Sequence, residues 1–275
     1  MLESVGYANE QASGLRALSI RKTIPILTVR GTGSGAGASL VVAGLAHGLG
    51  RYYRTLVLDL HSGRGSLAAI MGLRVRFDGR SVVNGEVPWS RVRVPVVPQV
   101  DYIGLGRGAV ERATSRHWHA MDMLMRQYDL VVVDGDSQVL GPVFGGRVPL
   151  TLLVADGARS TGGVISGMFT APLGPVGLVI NRVDHETDCQ QILDGVRRWI
   201  GGCGEVTDFG RLPLAPSDGS GRQWRAKGMG DLHSLSLPEA LVRLPEVVQA
   251  WLEIQVIDSG IASCRVSGQG MDMRA

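Results

Sequence analysis

The chain of 275 residues carries only two lysines, Lys22 and Lys227. Its net charge of +3 therefore rests almost wholly on arginine. An excess that small permits contact with nucleic acid or acidic lipid without demanding it. The arginine pairs Arg74/Arg76, Arg91/Arg93 and Arg197/Arg198 read as solvated surface ahead of a non-specific DNA patch. Cysteine is as scarce: Cys189, Cys203 and Cys264 are odd in number, widely spaced and form no C-x-x-C pair. That excludes a disulfide scaffold and a cysteine metal site, and it suits a reducing cytoplasm. Aromatics make up 5% of the chain against 44% hydrophobic residues, so the core has to be built from Val, Leu, Ala and Ile. No apolar run approaches the roughly 18 residues of a membrane-spanning helix. Residues 1–23 are polar and mixed, without an apolar stretch of signal-peptide length. There is no G-x-S-x-G elbow, and His117-Trp118-His119 lacks a third metal ligand, so serine-hydrolase and histidine-metal readings are set aside.

Glycine, by contrast, is abundant at 39 residues. Its densest stretch follows an apolar β-branched run: Ile26-Leu27-Thr28-Val29-Arg30-Gly31-Thr32-Gly33-Ser34-Gly35-Ala36-Gly37-Ala38-Ser39, then an Ala/Leu-rich segment of helical spacing over 38–49. A strand, a glycine loop and a helix N-terminus in that order make a phosphate cradle, because glycines free backbone N–H groups to converge on an anion. The usual fingerprint is G-x-x-x-x-G-K-[ST]. Here Gly37 and Ser39 hold the last glycine and hydroxyl positions, Ala38 stands where the lysine belongs, and Thr32 replaces the first glycine. Arg30 is close enough in sequence to be considered as a substitute cation, but its place at a strand end points it to solvent.

Further along, apolar runs alternate with helical patterns. Strands are expected at 24–29, 54–63, 100–106, 128–136, 150–155, 176–182 and 206–212. Helices are expected at 38–49, 66–73, 81–86, 112–126, 160–168 and 190–200, with a last one from Leu244 through Val247, Val248, Trp251 and Leu252. The strands are near-continuous apolar runs, which predicts an α/β fold: a mostly parallel sheet buried on both faces by helices. Residues 1–22 read as a tail or linker, 23–257 as one domain, and 258–275 as a Gly/Ser-rich disordered tail. Ligands of such sheets sit beyond the carboxyl ends of the strands. Asp59 and Asp134 end two of these runs, so one cleft collects them with the loop. There, Gly33, Ser34, Gly35, Ala36, Gly37, Ala38 and Ser39 would offer amides to phosphates. Ser39 and Asp134 would hold Mg²⁺, and Asp59 would orient or deprotonate an attacking water. A charge-assisted hydrogen bond contributes about 1.5–3 kcal/mol, so without its lysine such a site would bind more weakly, and phosphoryl transfer would suffer more.

The order of these features resembles the MinD/ParA group of deviant P-loop ATPases over residues 23–254. It comprises the glycine loop, the strand to Asp59, Asn84-Gly85-Glu86, Tyr128-Asp129 before the strand to Asp134, Asn181-Arg182, and Gly210-Arg211-Leu212-Pro213. Within the group, Gly33-Ser34-Gly35-Ala36-Gly37-Ala38-Ser39 is similar to loops of the CpaE/TadZ and septum-site-determining branch, where alanine replaces lysine. The resemblance implies a P-loop NTPase-like fold, ATP and Mg²⁺ as ligands, and adenine contact by Asn181. It also implies a homodimer that helps position pili, secretion machines or division sites, with a polar, membrane-associated or assembly protein as partner. The expected localisation is cytoplasmic, peripheral at a membrane or pole. The chain departs from active members at two loop positions: their signature lysine corresponds to Gly33, and their second loop lysine to Ala38. His61 stands where a second acidic residue is often found, and the last helix, with Glu246 and Glu253, is not a basic membrane tail. These departures imply a weak ATPase or a pseudo-ATPase. Two alternatives are a degenerate tyrosine-kinase-like domain of exopolysaccharide export, though residues 259–275 hold no tyrosine, and an active ATPase using arginine in place of lysine.

Overall fold

The computed structural model describes residues 24–61, 66–136, 140–141, 148–158, 174–183, 188–200, 205–213 and 239–258. Both expected tails, apart from Asp258, and the expected helix at 160–168 lie outside these residues. The strands are β1 (Ile26–Gly31), β2 (Thr55–Asp59), β3 (Val94–Val97), β4 (Val100–Gly104), β5 (Leu130–Asp134), β6 (Leu150–Asp156), β7 (Val176–Val183) and β8 (Val206–Pro213). They form one eight-stranded sheet in the order β3-β4-β2-β5-β1-β6-β7-β8. Every pairing is parallel except β3 with β4. The helices are α1 (Ala38–Leu49), α2 (Leu67–Ile70), α3 (Gly79–Val83), α4 (Trp89–Val92), α5 (Arg107–Arg112), α6 (Ser115–Met125), α7 (Cys189–Ile200) and α8 (Glu239–Asp258).

The continuous apolar runs have a simple cause. Successive side chains of a strand point to opposite faces, and here both faces are covered. Leu27, Val29, Val57, Leu130 and Val132 join one core with α1 and α8. Ile26, Leu56, Leu58, Val131 and Val133 join a second core with Trp89, Trp118 and Met121 of α4 and α6. A third cluster packs Ile192, Leu193 and Val196 of α7 on Leu178 and Ile180 of β7.

The antiparallel edge strand β3 is absent from the sequence reading. Pro95 cannot donate to a ladder, which hides a short edge strand from apolar patterning. The helix expected at 112–126 starts instead at Ser115, with Arg112 ending the separate α5: the Thr114 backbone N–H donates to His117 Nδ1 in a capping box that starts α6. That contact also accounts for His117. Val247, expected on the inner face of α8, lies outward at 45% exposure, while Leu244, Val248, Trp251 and Leu252 are buried. Trp251 meets Phe209 edge-on at 5.2 Å, tying α8 to β8.

The seam between α1 and α8 depends on a missing side chain. A Cβ on Gly48 would stand 2.2 Å from Cγ of Pro245, a rigid ring that cannot swing away. Alanine is the better helix former by about 1 kcal/mol, but overpacking a fitted contact costs about 1–3 kcal/mol. Gly48→Ala is therefore expected to lower the urea midpoint despite its helix propensity. A raised midpoint would contradict this packing.

Candidate functional site

The glycine loop leaves β1 at the carboxyl end of the sheet, between β5 and β6. Thr32 N–H donates to the Val154 carbonyl at 2.9 Å, anchoring the loop to β6. Gly35 and Gly37 take left-handed φ values of 77° and 95°, which an L side chain rarely adopts and which let successive amides converge. Gly37 is also a point of close approach: a Cβ there would lie 2.3 Å from Asn181 Nδ2. It caps α1 with no side-chain acceptor, and the first turn of α1 holds no acidic residue. The opening amides of a helix have no intrahelical partner and carry the positive end of its dipole. Gly33, Ser34 and Gly35 are exposed, and Ala38 and Ser39 half-buried. Ala36 differs from its neighbours. It is 2% exposed, its N–H donates to the Gly33 carbonyl, and its own carbonyl accepts from Asn181 Nδ2 at 2.8 Å. Ala36 thus braces the loop.

Asn181, expected beside adenine, is placed by β7 against the loop. Its neighbour Arg182 donates to the Gly35 carbonyl and pairs with Asp156 of β6 at 2.9 Å. Arg182 holds a positive φ of 59°, a strained state for arginine that these two contacts maintain. Arg30 does not face solvent as expected. It is 5% exposed, 3.7 Å from Asp136 and 5.8 Å from the Trp199 ring centroid. It occupies an interior β1 position whose side chain points under α7, and burial lowers its pKa.

Asp59 and Asp134 do come together. They are register partners on β2 and β5, and Asp134 is also level with Val29 of β1. Gly135 N–H donates to the Val29 carbonyl, so the end of β5 is tied beside the strand that feeds the loop. Both carboxylates are fully buried. Asp59 accepts from the Tyr102 hydroxyl at 2.9 Å and from the His61 backbone N–H at 2.8 Å. Neither oxygen of Asp134 accepts a hydrogen bond among the described residues. His61 Nδ1 lies 3.6 Å from Asp134 and 3.7 Å from Asp59. The two carboxylates, Asp134 first, push the imidazole up to about 10, so it is a cation at neutral pH. The Tyr102 hydroxyl is pushed far above the usual phenol value, first by burial and then by the charge of Asp59.

Three participants have no role readable from sequence. Tyr102 carries no local signal, and Arg182 appears in sequence only as the second residue of Asn181-Arg182; register brings both to the site. His61 is visible there only as a departure two residues after Asp59. Tyr102→Phe removes the donor to a buried carboxylate, which costs about 1–3 kcal/mol. Chemical denaturation should read that loss, and an unchanged midpoint would mean that Asp59 does not depend on Tyr102. The arginines weighed as a DNA patch are partly engaged with acids: Arg93 with Asp101, Arg197 with Asp194.

No protein-family model and no curated protein sequence matches the chain. Solved structures do. A chain of the MinC:MinD cell division protein complex of Aquifex aeolicus aligns with a TM-score of 0.59 at 14% identity, covering 82% of this chain and 96% of that one. The septum site-determining protein MinD of Pyrococcus horikoshii, complexed with Mg-ADP, gives 0.53 at 17% identity, covering 84% and 98%. A ParA family ATPase of Chlorobium tepidum gives 0.50 at 15% identity, covering 87% and 99%. With a glycine loop at the end of β1, an aspartate at the end of β5 and this eight-stranded order, the chain has the fold of the MinD and ParA ATPases.

Proposed function

We propose that this protein is a MinD/ParA-type localisation or assembly factor with a degenerate nucleotide site. It works as a homodimer in pilus or secretion-system assembly or in division-site placement. It is cytoplasmic and peripheral at a membrane or pole, where an assembly protein is its partner. The observation that carries the reading is the open N-terminus of α1 under a loop of left-handed glycines, with the buried carboxylate of Asp134 beside it.

Gly33, Ser34, Gly35, Gly37, Ala38 and Ser39 would bind the ATP phosphates. Ser39 and Asp134 would hold Mg²⁺, and the Asp134 oxygens, which accept no hydrogen bond among the described residues, suit a metal's shell. Magnesium, when bound, would supply positive charge against the phosphates. Asn181 reaches the loop from β7 and would meet the nucleotide from that side. The sequence points Asp59 at an attacking water, yet both its oxygens already accept hydrogen bonds. That favours a carboxylate that holds His61 and Tyr102 over a proton acceptor. The loop's missing charge is matched by a cation lodged between the aspartates, His61. Both features support binding with slow or no turnover.

One observation favours the arginine-assisted ATPase as a second reading: Arg182 touches the loop itself. Its charge is shared with Asp156, so it serves first to tie the loop to β7. Two measurements test the first reading. Phosphate release by the native chain should stay near background, whereas brisk turnover lost in Arg182→Ala would favour the second reading. A fluorescent fusion should form foci at a pole or septum, and diffuse signal throughout growth would contradict a positioning role. The described residues hold no helix long and apolar enough to cross a membrane.

A further inference from the structure

We propose that Asp59, His61 and Asp134 form a binding site for a transition-metal ion of the Zn²⁺ class, held by protein side chains alone. The parallel register of β2 and β5 sets the two carboxylates side by side. The chain leaving β2 then turns back, fixed by the His61 N–H on Asp59, and brings the imidazole over both. One nitrogen and two carboxylate oxygens lie within 4.8 Å of one another. Zinc takes ligands at about 2.0–2.2 Å in tetrahedral array, which sets donors roughly 3.3–3.6 Å apart. The His61 Nδ1 distances of 3.6 and 3.7 Å are already close to that spacing.

A second observation points to a missing ligand. Asp134 is fully buried, yet neither of its oxygens accepts a hydrogen bond among the described residues. A buried carboxylate without hydrogen bonds is costly; its nearest partner is the His61 imidazole at 3.6 Å, and a metal ion seated between them would take the place of the imidazole proton. The surroundings suit the purpose. Tyr102 donates to Asp59 Oδ2, the outer-shell contact that orients a ligating carboxylate. His61 and Tyr102 line a cavity of about 570 Å³ with Asp78, Arg80, Asn84 and Arg112, which gives an ion a way in. Three protein donors leave a fourth position for water, as in zinc sites that keep one place open. Imidazole with carboxylates favours such ions over magnesium, which prefers six oxygens in octahedral array.

The site shares Asp134 with the proposed Mg²⁺ position but goes beyond the nucleotide reading, because it needs neither ATP nor any loop residue. The test titrates the full chain, stripped with EDTA and dialysed, with ZnCl₂ and separately with MgCl₂ by calorimetry without nucleotide. Visible ligand-field bands on adding CoCl₂ serve as a spectroscopic readout. One Zn²⁺ should bind per chain, and Co²⁺ should give the bands of a low-coordinate site. His61→Ala should weaken Zn²⁺ by more than the roughly 10–100-fold that loss of an outer-shell partner costs, and it should abolish the bands. His117→Ala should change neither. Asp134→Asn should act like His61→Ala, but it alters a buried group. His61→Ala, at a half-exposed side chain, is therefore the deciding variant, with circular dichroism confirming that it is folded. No Zn²⁺ binding by the native chain, or equal binding by His61→Ala, overturns the proposal. An ATP titration of the same samples reads the nucleotide site separately.

Discussion

Replacing Ala38 with lysine is expected to tighten ATP binding roughly ten- to a hundredfold, from one charge-assisted hydrogen bond of about 1.5–3 kcal/mol. The backbone is already suited to the change. Ala38 opens α1 directly after the left-handed Gly37, and it packs on the edge of the core shared by α1 and α8. A lysine there can lay its methylenes along apolar surface and lift its ammonium to the loop. No glycine is displaced, and lysine is a good helix former. Calorimetry with ATP and Mg²⁺, native chain against Ala38→Lys, measures the gain. Unchanged affinity would mean that the loop does not present its amides to phosphate.

The second large effect concerns rate. A lysine at Gly33 as well as Ala38 should raise phosphate release by up to about 10³, the lower end of what one well-placed cation supplies in phosphoryl transfer. Gly33 is exposed, a Cβ added to it meets nothing within 4 Å, and its φ is not among the positive ones. A side chain at this position therefore costs no strain, in contrast to Gly35 and Gly37. Ala38→Lys alone should improve binding far more than turnover, because ground-state affinity and transition-state charge are separate demands. A double variant that binds tightly and still fails to hydrolyse would place the remaining defect at His61, whose positive charge sits where the two aspartates meet.

Much of this site is legible because strand ends are legible. The runs into Asp59 and Asp134 are apolar on both faces and stop at a carboxylate, the run into Gly31 stops at a glycine loop, and the sheet brings those ends together. The start of α1 is readable at Ala38 because Gly37 ends the loop. What stays hidden depends on which strands are neighbours. Arg182 reaches the loop only because β7 lies two places from β1 in the sheet, and Tyr102 reaches Asp59 only because β4 pairs with β2. Arg30 misleads for the same reason: an arginine before a glycine loop suggests a solvent-facing end. The aromatic face of Trp199 and the carboxylate of Asp136 instead make its burial tolerable. His61 stands out in sequence as a departure, and its meaning comes only with both carboxylates in place.

The proposed function rests on the loop before α1 remaining an anion cradle beside Asp134 after losing its positive side chains. The most direct measurement is the backbone amide spectrum of the native chain, titrated with ATP and Mg²⁺. Saturable shifts at Gly33, Ser34, Gly35, Gly37, Ala38 and Ser39, with Gly48 unmoved, are the predicted result. Loop amides that stay in place at saturating nucleotide would contradict it.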